Sequence, residues 1–137
     1  MKIFDVSAEE LSNKLAEELS SKMKQPEWSL FVKTGTSRQR PPEQKNWYFI
    51  RSGTILKRIY INGPVGVERL RSYFGSSKNL GHQPSHFKKA GGKIIRSIIQ
   101  ELEKLGYIEV AKNKKGRVTT KAGREFVNKV VDSIQSA

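Results

Sequence analysis

Six apolar residues near the chain's middle, Ile94, Ile95, Ile98, Ile99, Leu102 and Leu105, constrain its fold more than any other feature. At helical spacing they fill an arc of about 140°, which requires a core on that side of the helix. Gly91-Gly92 open this segment, and Lys93, Arg96 and Gln100 line its opposite face. Its charges run against the helix dipole, with cations at the start and Glu101 and Glu103 near the end. A phosphate at the helix start would reverse that disadvantage, because amide donors and cations could grip it together. The paired glycines would let such a helix start approach a backbone closely.

Other segments supply partners for the stripe. Ser7-Ala8-Glu9-Glu10 has the form of a capping box, and Leu11, Leu15, Leu19 and Met23 follow at four-residue spacing, so a helix is expected to about Lys24. Pro26 stops it. In the segment from Trp47 to Tyr60, residues Tyr48, Phe49, Ile55, Leu56, Ile59 and Tyr60 share one face. Trp47, Arg51, Thr54 and Arg58 share the other, an arrangement suited to stacking and phosphate pairing, although a Trp at such a position often packs under another element. Gly63-Pro64 interrupts the chain. A short helix over 65–74 then turns Val67, Leu70 and Phe74 inward, and a loop over 76–90 is expected to pack His82 and His86. With no cysteine and no nearby acid, these two imidazoles make poor metal ligands. Tyr107-Ile108-Glu109-Val110 and Val118-Thr119-Thr120 bracket a turn rich in Lys, Asn and Gly, which reads as a β-hairpin with a positive tip. Thr120 can cap a last helix whose inner face is Phe126, Val127, Val130, Val131 and Ile134.

Short helix, long helix, basic hairpin, helix is the order of a winged-helix domain. The expected fold is therefore mostly α: a winged-helix, helix-turn-helix-like core over 63–137, with N-terminal helices and a basic loop over 5–62 packed alongside in a single domain, 1–137.

Charge narrows the function. The chain carries 26 Lys and Arg against 13 Asp and Glu, a net of +13. Residues 1–32 are slightly acidic, so all of the excess lies beyond them, including Lys33, Arg38, Arg40 and Lys45 in a polar loop over 33–46 stiffened by Pro41-Pro42. Such a surface repels itself unless it lies against a polyanion. Absence of cysteine excludes thiol chemistry, disulfides and zinc knuckles. No apolar run reaches the roughly 18 residues of a membrane span, and the N-terminus leads into a polar helix instead of a signal peptide, so a soluble cytosolic protein is expected. No carboxylate pair, phosphate-loop glycine pattern or nucleophile–base pair suggests an enzyme. A membrane-surface helix fits poorly, because the basic helices also carry core stripes.

Nucleic acid remains, as DNA or RNA. A winged-helix DNA-binding transcription regulator would insert the 93–105 helix into a major groove. Against that reading, some fifteen residues separate the two candidate helices, where a helix-turn-helix takes about three or four. Cations spread over a loop, two helices and a hairpin suit folded RNA, gripped from several sides.

Several blocks also carry a family resemblance: Pro26-Glu27-Trp28; Asn46-Trp47-Tyr48-Phe49-Ile50-Arg51; Tyr60-Ile61-Asn62-Gly63-Pro64-Val65-Gly66-Val67 with Tyr73-Phe74-Gly75; Pro84-Ser85-His86-Phe87; Arg96 with Gln100-Glu101-Leu102-Glu103; and Gly116-Arg117 before Thr120-Lys121-Ala122-Gly123. From about residue 3 to 134 the chain resembles the archaeal and eukaryotic small-subunit ribosomal protein family known as "S nineteen e", and the Arg-Pro-Pro-Glu-Gln loop is similar to its archaeal branch. The chain departs from the pattern at Ser52-Gly53-Thr54, where the family often has Ala-Ala-Ser; Gly53 should cost the helix about 1 kcal/mol. It also has Gly75-Ser76-Ser77 for Gly-Gly-Arg, and Thr119 for a Leu.

The resemblance implies a non-enzymatic structural constituent of the small ribosomal subunit, bound to the 3′ (head) domain of small-subunit rRNA and assisting subunit maturation. It further implies neighbouring small-subunit ribosomal proteins as partners, a monomer within the cytoplasmic ribosome, no membrane and no cofactor. Family-important basic positions correspond to Arg51, the Lys57-Arg58 pair and Arg96. The expected rRNA contacts are Lys33, Arg38, Arg40, Lys45, Trp47, Arg51, Lys57, Arg58, Lys88, Lys89, Lys93, Arg96, Lys112, Lys114, Lys115 and Arg117.

Overall fold

The computed structural model describes residues 2–35, 37–38, 40–79, 81–112 and 116–136. A 3-10 turn over Lys2–Asp5 leads into helix α1, Ala8–Ser20, which buries Leu11, Leu15 and Leu19. The helix stops four residues earlier than its spacing suggests, yet Met23 beyond it is still buried. Ser7 accepts the first helical hydrogen bond through its carbonyl, from the Leu11 amide at 3.0 Å, but its side chain makes no cap bond. The capping-box sequence thus starts the helix without the reciprocal side-chain bond.

A second 3-10 turn, Glu27–Leu30, precedes the basic loop. Helix α2 is Trp47–Asn62 and buries Tyr48, Ile55, Leu56 and Ile59. Ser52 and Gly53 are buried with them, because α1 crosses here. A Cβ on Gly53 would lie 2.9 Å from the Leu15 Cβ, so the glycine that weakens α2 in isolation permits the close helix crossing.

Helix α3, Val67–Phe74, buries Leu70 and packs on α4, Gly92–Lys104, whose Ile94, Ile95, Ile98, Ile99 and Leu102 are all buried as the stripe requires. Between them the chain does not form the expected irregular loop. Strands β1, Ser76–Lys78, and β2, His86–Lys88, pair antiparallel with Ser77 opposite Phe87. His82 and His86 do not pack this segment; both side chains are exposed. The winged-helix core therefore has a small hairpin where a compact helix-turn-helix would have a tight turn.

Strands β3, Ile108–Val110, and β4, Arg117–Thr119, form the wing. Helix α5, Lys121–Gln135, follows, burying Phe126, Val127, Val130 and Val131. Its Thr120 cap accepts from the Gly123 amide at 3.1 Å and donates to the Gly106 carbonyl at 2.5 Å. Phe126 stacks on Tyr107 with ring centroids 4.6 Å apart. Lys22, just beyond α1, donates to the Tyr107 hydroxyl at 2.8 Å, closing α1 onto the wing and α5. One apolar core joins residues from Ile3 to Val131 and takes side chains from α1 to α5.

Candidate nucleic-acid interface

Arg51 and Arg58 lie two turns apart on α2, and each meets an aromatic ring from the end of α3. The Arg58 guanidinium lies 4.1 Å from the Tyr73 ring centroid. Tyr73 and Phe74 pack edge to face at 4.9 Å, and Phe74 in turn lies against Arg51. The two arginines of α2 are thus part-buried, and among the described residues neither is paired with an acid. They are seated on rings whose faces attract cations.

Arg51 is the more confined of the two. Its Nη1 is buried and has no hydrogen-bond partner among the described residues. Burial, and then the nearby charge of Arg38, pull its pKa down to about 10. A buried donor without a partner and a desolvated charge without an anion both raise the free energy of the unbound protein.

Beside Arg51 a groove of about 440 Å³ runs between α2 and the basic loop. Arg38, Arg40, Pro42, Gln44, Trp47, Thr54 and Phe74 line it with Arg51. Three guanidiniums and an indole border it, and among the described lining residues there is no carboxylate. Trp47 is half-buried against the core and presents one edge to Tyr48 at 5.8 Å, so it packs under its neighbours while also bordering the groove.

The basic loop is anchored at its start, through residues 34, 35 and 37. Gly35 pairs with Ala90, and the Gly91 amide donates to the Thr34 carbonyl at 2.8 Å. Ser37 and Ser76 hydroxyls are 2.5 Å apart. Ala90 also exchanges two bonds with Arg71: its amide donates to the Arg71 carbonyl at 3.0 Å, and its carbonyl accepts from Arg71 Nε at 2.9 Å. One amide at the start of α4 that a phosphate could use is therefore committed to the loop. Lys33, Lys45, Arg38 and Arg40 remain exposed on it.

Elsewhere the expected contacts separate into free and committed groups. Arg96 is exposed on α4, and Lys93 sits over the Trp28 ring at 4.7 Å. Lys88 is exposed on β2. Lys89 is held by Glu68 at 2.9 Å, as is Arg71. Those two hydrogen bonds, Lys89's first, hold the Glu68 carboxyl below its ordinary pKa. Lys57 is half-buried beside Arg58. Lys112 is exposed at the wing, whereas Lys114 and Lys115 lie outside the described residues. Arg117 departs from the expectation of a free wing cation: it is half-buried, and its guanidinium is paired with Glu103 of α4.

Sequence reasoning did not find Arg71, Tyr73 and Phe74 as parts of this surface. Arg71 orders the start of α4, and the two rings seat the α2 arginines. Tyr73 and Phe74 were visible only as an aromatic pair ending a short helix; nothing local told which cations they would meet. Among the described residues no group of three His, Asp or Glu is arranged to hold a metal ion, and no helix is long and apolar enough to cross a membrane.

The family Ribosomal protein S19e matches residues 2–137 of the chain. The "Small ribosomal subunit protein eS19G" of Ascaris suum is 37% identical over 133 residues, which is 96% of this chain and 90% of that protein. Archaeal relatives are as similar. The "Small ribosomal subunit protein eS19" of Aeropyrum pernix is 37% identical over 128 residues, covering 90% of this chain and 83% of its own length. That of Haloarcula marismortui is 39% identical over 132 residues, covering 92% and 86%. A match of this extent leaves no element of the fold outside it, from the first 3-10 turn to α5, and the chain belongs to the Ribosomal protein S19e family.

Proposed function

We propose that this protein is a non-enzymatic structural constituent of the small ribosomal subunit, binding the 3′ (head) domain of small-subunit rRNA and assisting subunit maturation. The names carried by its relatives support the subunit. The observation that carries the RNA reading is Arg51, a desolvated guanidinium whose Nη1 is unpartnered among the described residues, beside a groove bordered by Arg38 and Arg40 and by no acid among those residues. A phosphate there would supply the missing acceptor and the missing charge together. Arg58, Lys57, Lys93, Arg96, the loop cations and the wing lysines would add contacts around it, and binding would proceed by release of counterions and recognition of RNA shape. Neighbouring ribosomal proteins complete the partner set, with the protein present as one copy in the cytoplasmic ribosome. The 63–137 part would act as the winged-helix portion of a single domain.

Sedimentation of the tagged protein through a sucrose gradient after a high-salt wash tests this. Salt strips loosely held cations but spares a protein embedded in folded RNA. Co-migration with small subunits is expected. Release to the top of the gradient, with retention on duplex DNA, would favour a winged-helix regulator instead.

A further inference from the structure

A second, smaller groove lies on the other side of the α2 arginine face, against the N-terminal 3-10 turn. Its volume is about 270 Å³, below the range of ordinary small-molecule clefts and suited to a single ring system. Ile3 and Ile61 contribute apolar surface to its lining, and Phe4 and Tyr73 contribute rings that are 66% and 49% exposed. Lys57 and Arg58 complete the lining that matters, with no carboxylate among the described lining residues. Rings left this exposed forgo part of their possible burial, and where they border one concave site a partner is indicated.

We propose that this groove receives one unstacked base of an unpaired RNA nucleotide, with Phe4 and Tyr73 as stacking surfaces and Lys57 and Arg58 holding the adjoining phosphate. The inference rests on the RNA reading above and names the part of the RNA the site would take. An apolar side chain from a protein would desolvate Lys57 and Arg58 without returning an anion. A nucleotide brings ring and anion together. Paired bases cannot enter, because a stacked duplex shows only edges and backbone.

Binding of the full-length protein to a short single-stranded oligoribonucleotide and to its perfect duplex, across a salt series, tests the inference. In the Phe4→Ala variant, single-strand affinity is expected to fall about tenfold, while duplex affinity and the salt slope stay unchanged. Tyr73→Trp should retain single-strand binding where Tyr73→Leu does not, which separates stacking from general apolar contact. Equal losses on strand and duplex, no loss, or equivalence of the Leu and Trp variants would overturn the base site. Salt-dependent binding by the unsubstituted protein would then still uphold the RNA reading. Failure of the unsubstituted protein to bind either RNA form would overturn both.

Discussion

The guanidinium carbon of Arg51 lies 4.2 Å from the centroid of the Phe74 ring. This contact lets a charge remain inside the protein at a point where no acid is available to it. The ring recovers part of the lost hydration, and the unpartnered Nη1 marks what it does not recover.

Arg51→Met should therefore separate stability from binding. Because Arg51's pKa is pulled down to about 10, its burial penalty is fully present below pH 10 and is relieved only as pH rises beyond it. Removing the charge is expected to raise the stability of the free protein by about 1 kcal/mol at neutral pH. RNA affinity should fall about tenfold, with Arg51→Lys intermediate because it keeps the charge without the fork. Thermal unfolding and filter binding on the same samples check both signs. Loss of stability in Arg51→Met would refute the account of an uncompensated buried cation.

Tyr48 presents the neutral counterpart. Its ring is fully buried, and its hydroxyl has no hydrogen-bond partner among the described residues. Burial, and then the charge of Glu101, push its pKa up to about 12. The folded state therefore keeps Tyr48 protonated at pH values where the unfolded chain loses the proton. Its contribution is complete below pH 10 and is lost as pH rises towards 12. Tyr48→Phe should stabilise the protein by about 1 kcal/mol at neutral pH and more at alkaline pH. Urea melts at two pH values suffice to measure this.

At Gly123 the usual preference for alanine in a helix should invert. A Cβ there would stand 2.2 Å from the Tyr107 carbonyl oxygen, which is rigid backbone. Gly123→Ala would gain about 1 kcal/mol of helix propensity and lose more through displacement of α5 from the wing. A net destabilisation of about 1–3 kcal/mol in urea melts is expected. Increased stability would show that the contact yields easily.

Glu68 holds two cations that could otherwise meet a phosphate. With its pKa lowered by Lys89 and Arg71, its stabilising effect is present above its ordinary value of 4.5 and is lost as pH falls through the lowered one. Glu68→Gln should abolish that acid dependence. It should also raise RNA affinity at low salt severalfold and steepen the salt slope by about one unit per released cation that reaches RNA. An unchanged slope would place Lys89 and Arg71 away from the bound strand.

Much of the fold was legible because its elements repeat a period. The Ile94–Leu102 stripe, the Leu11–Leu19 row and the Phe126–Val131 face are all buried where spacing predicts. The wing was legible through its turn. The hairpin over Ser76–Lys78 and His86–Lys88 was not, since its strands are three residues long, bury no side chain fully and hold one apolar residue, Phe87, which is itself exposed. Nor was the seating of Arg51 on Phe74 or the capture of Arg117 by Glu103. Both depend on how elements distant in sequence meet, and a helical wheel shows only which way a residue leaves its own helix. Gly53 was misleading for the same reason: its cost is local, while its benefit lies at the crossing with Leu15.

Ala90 and its neighbours join the basic loop, α3 and α4 through backbone hydrogen bonds. The entropy lost in fixing Thr34 and Gly35 is therefore lost when the protein folds, before any RNA arrives. An unattached loop would have to be ordered during binding, at about 0.5–1.5 kcal/mol for each immobilised side chain. Here the start of the basic loop and the start of α4 are held together before binding, so the nucleic acid must adjust its shape to that junction.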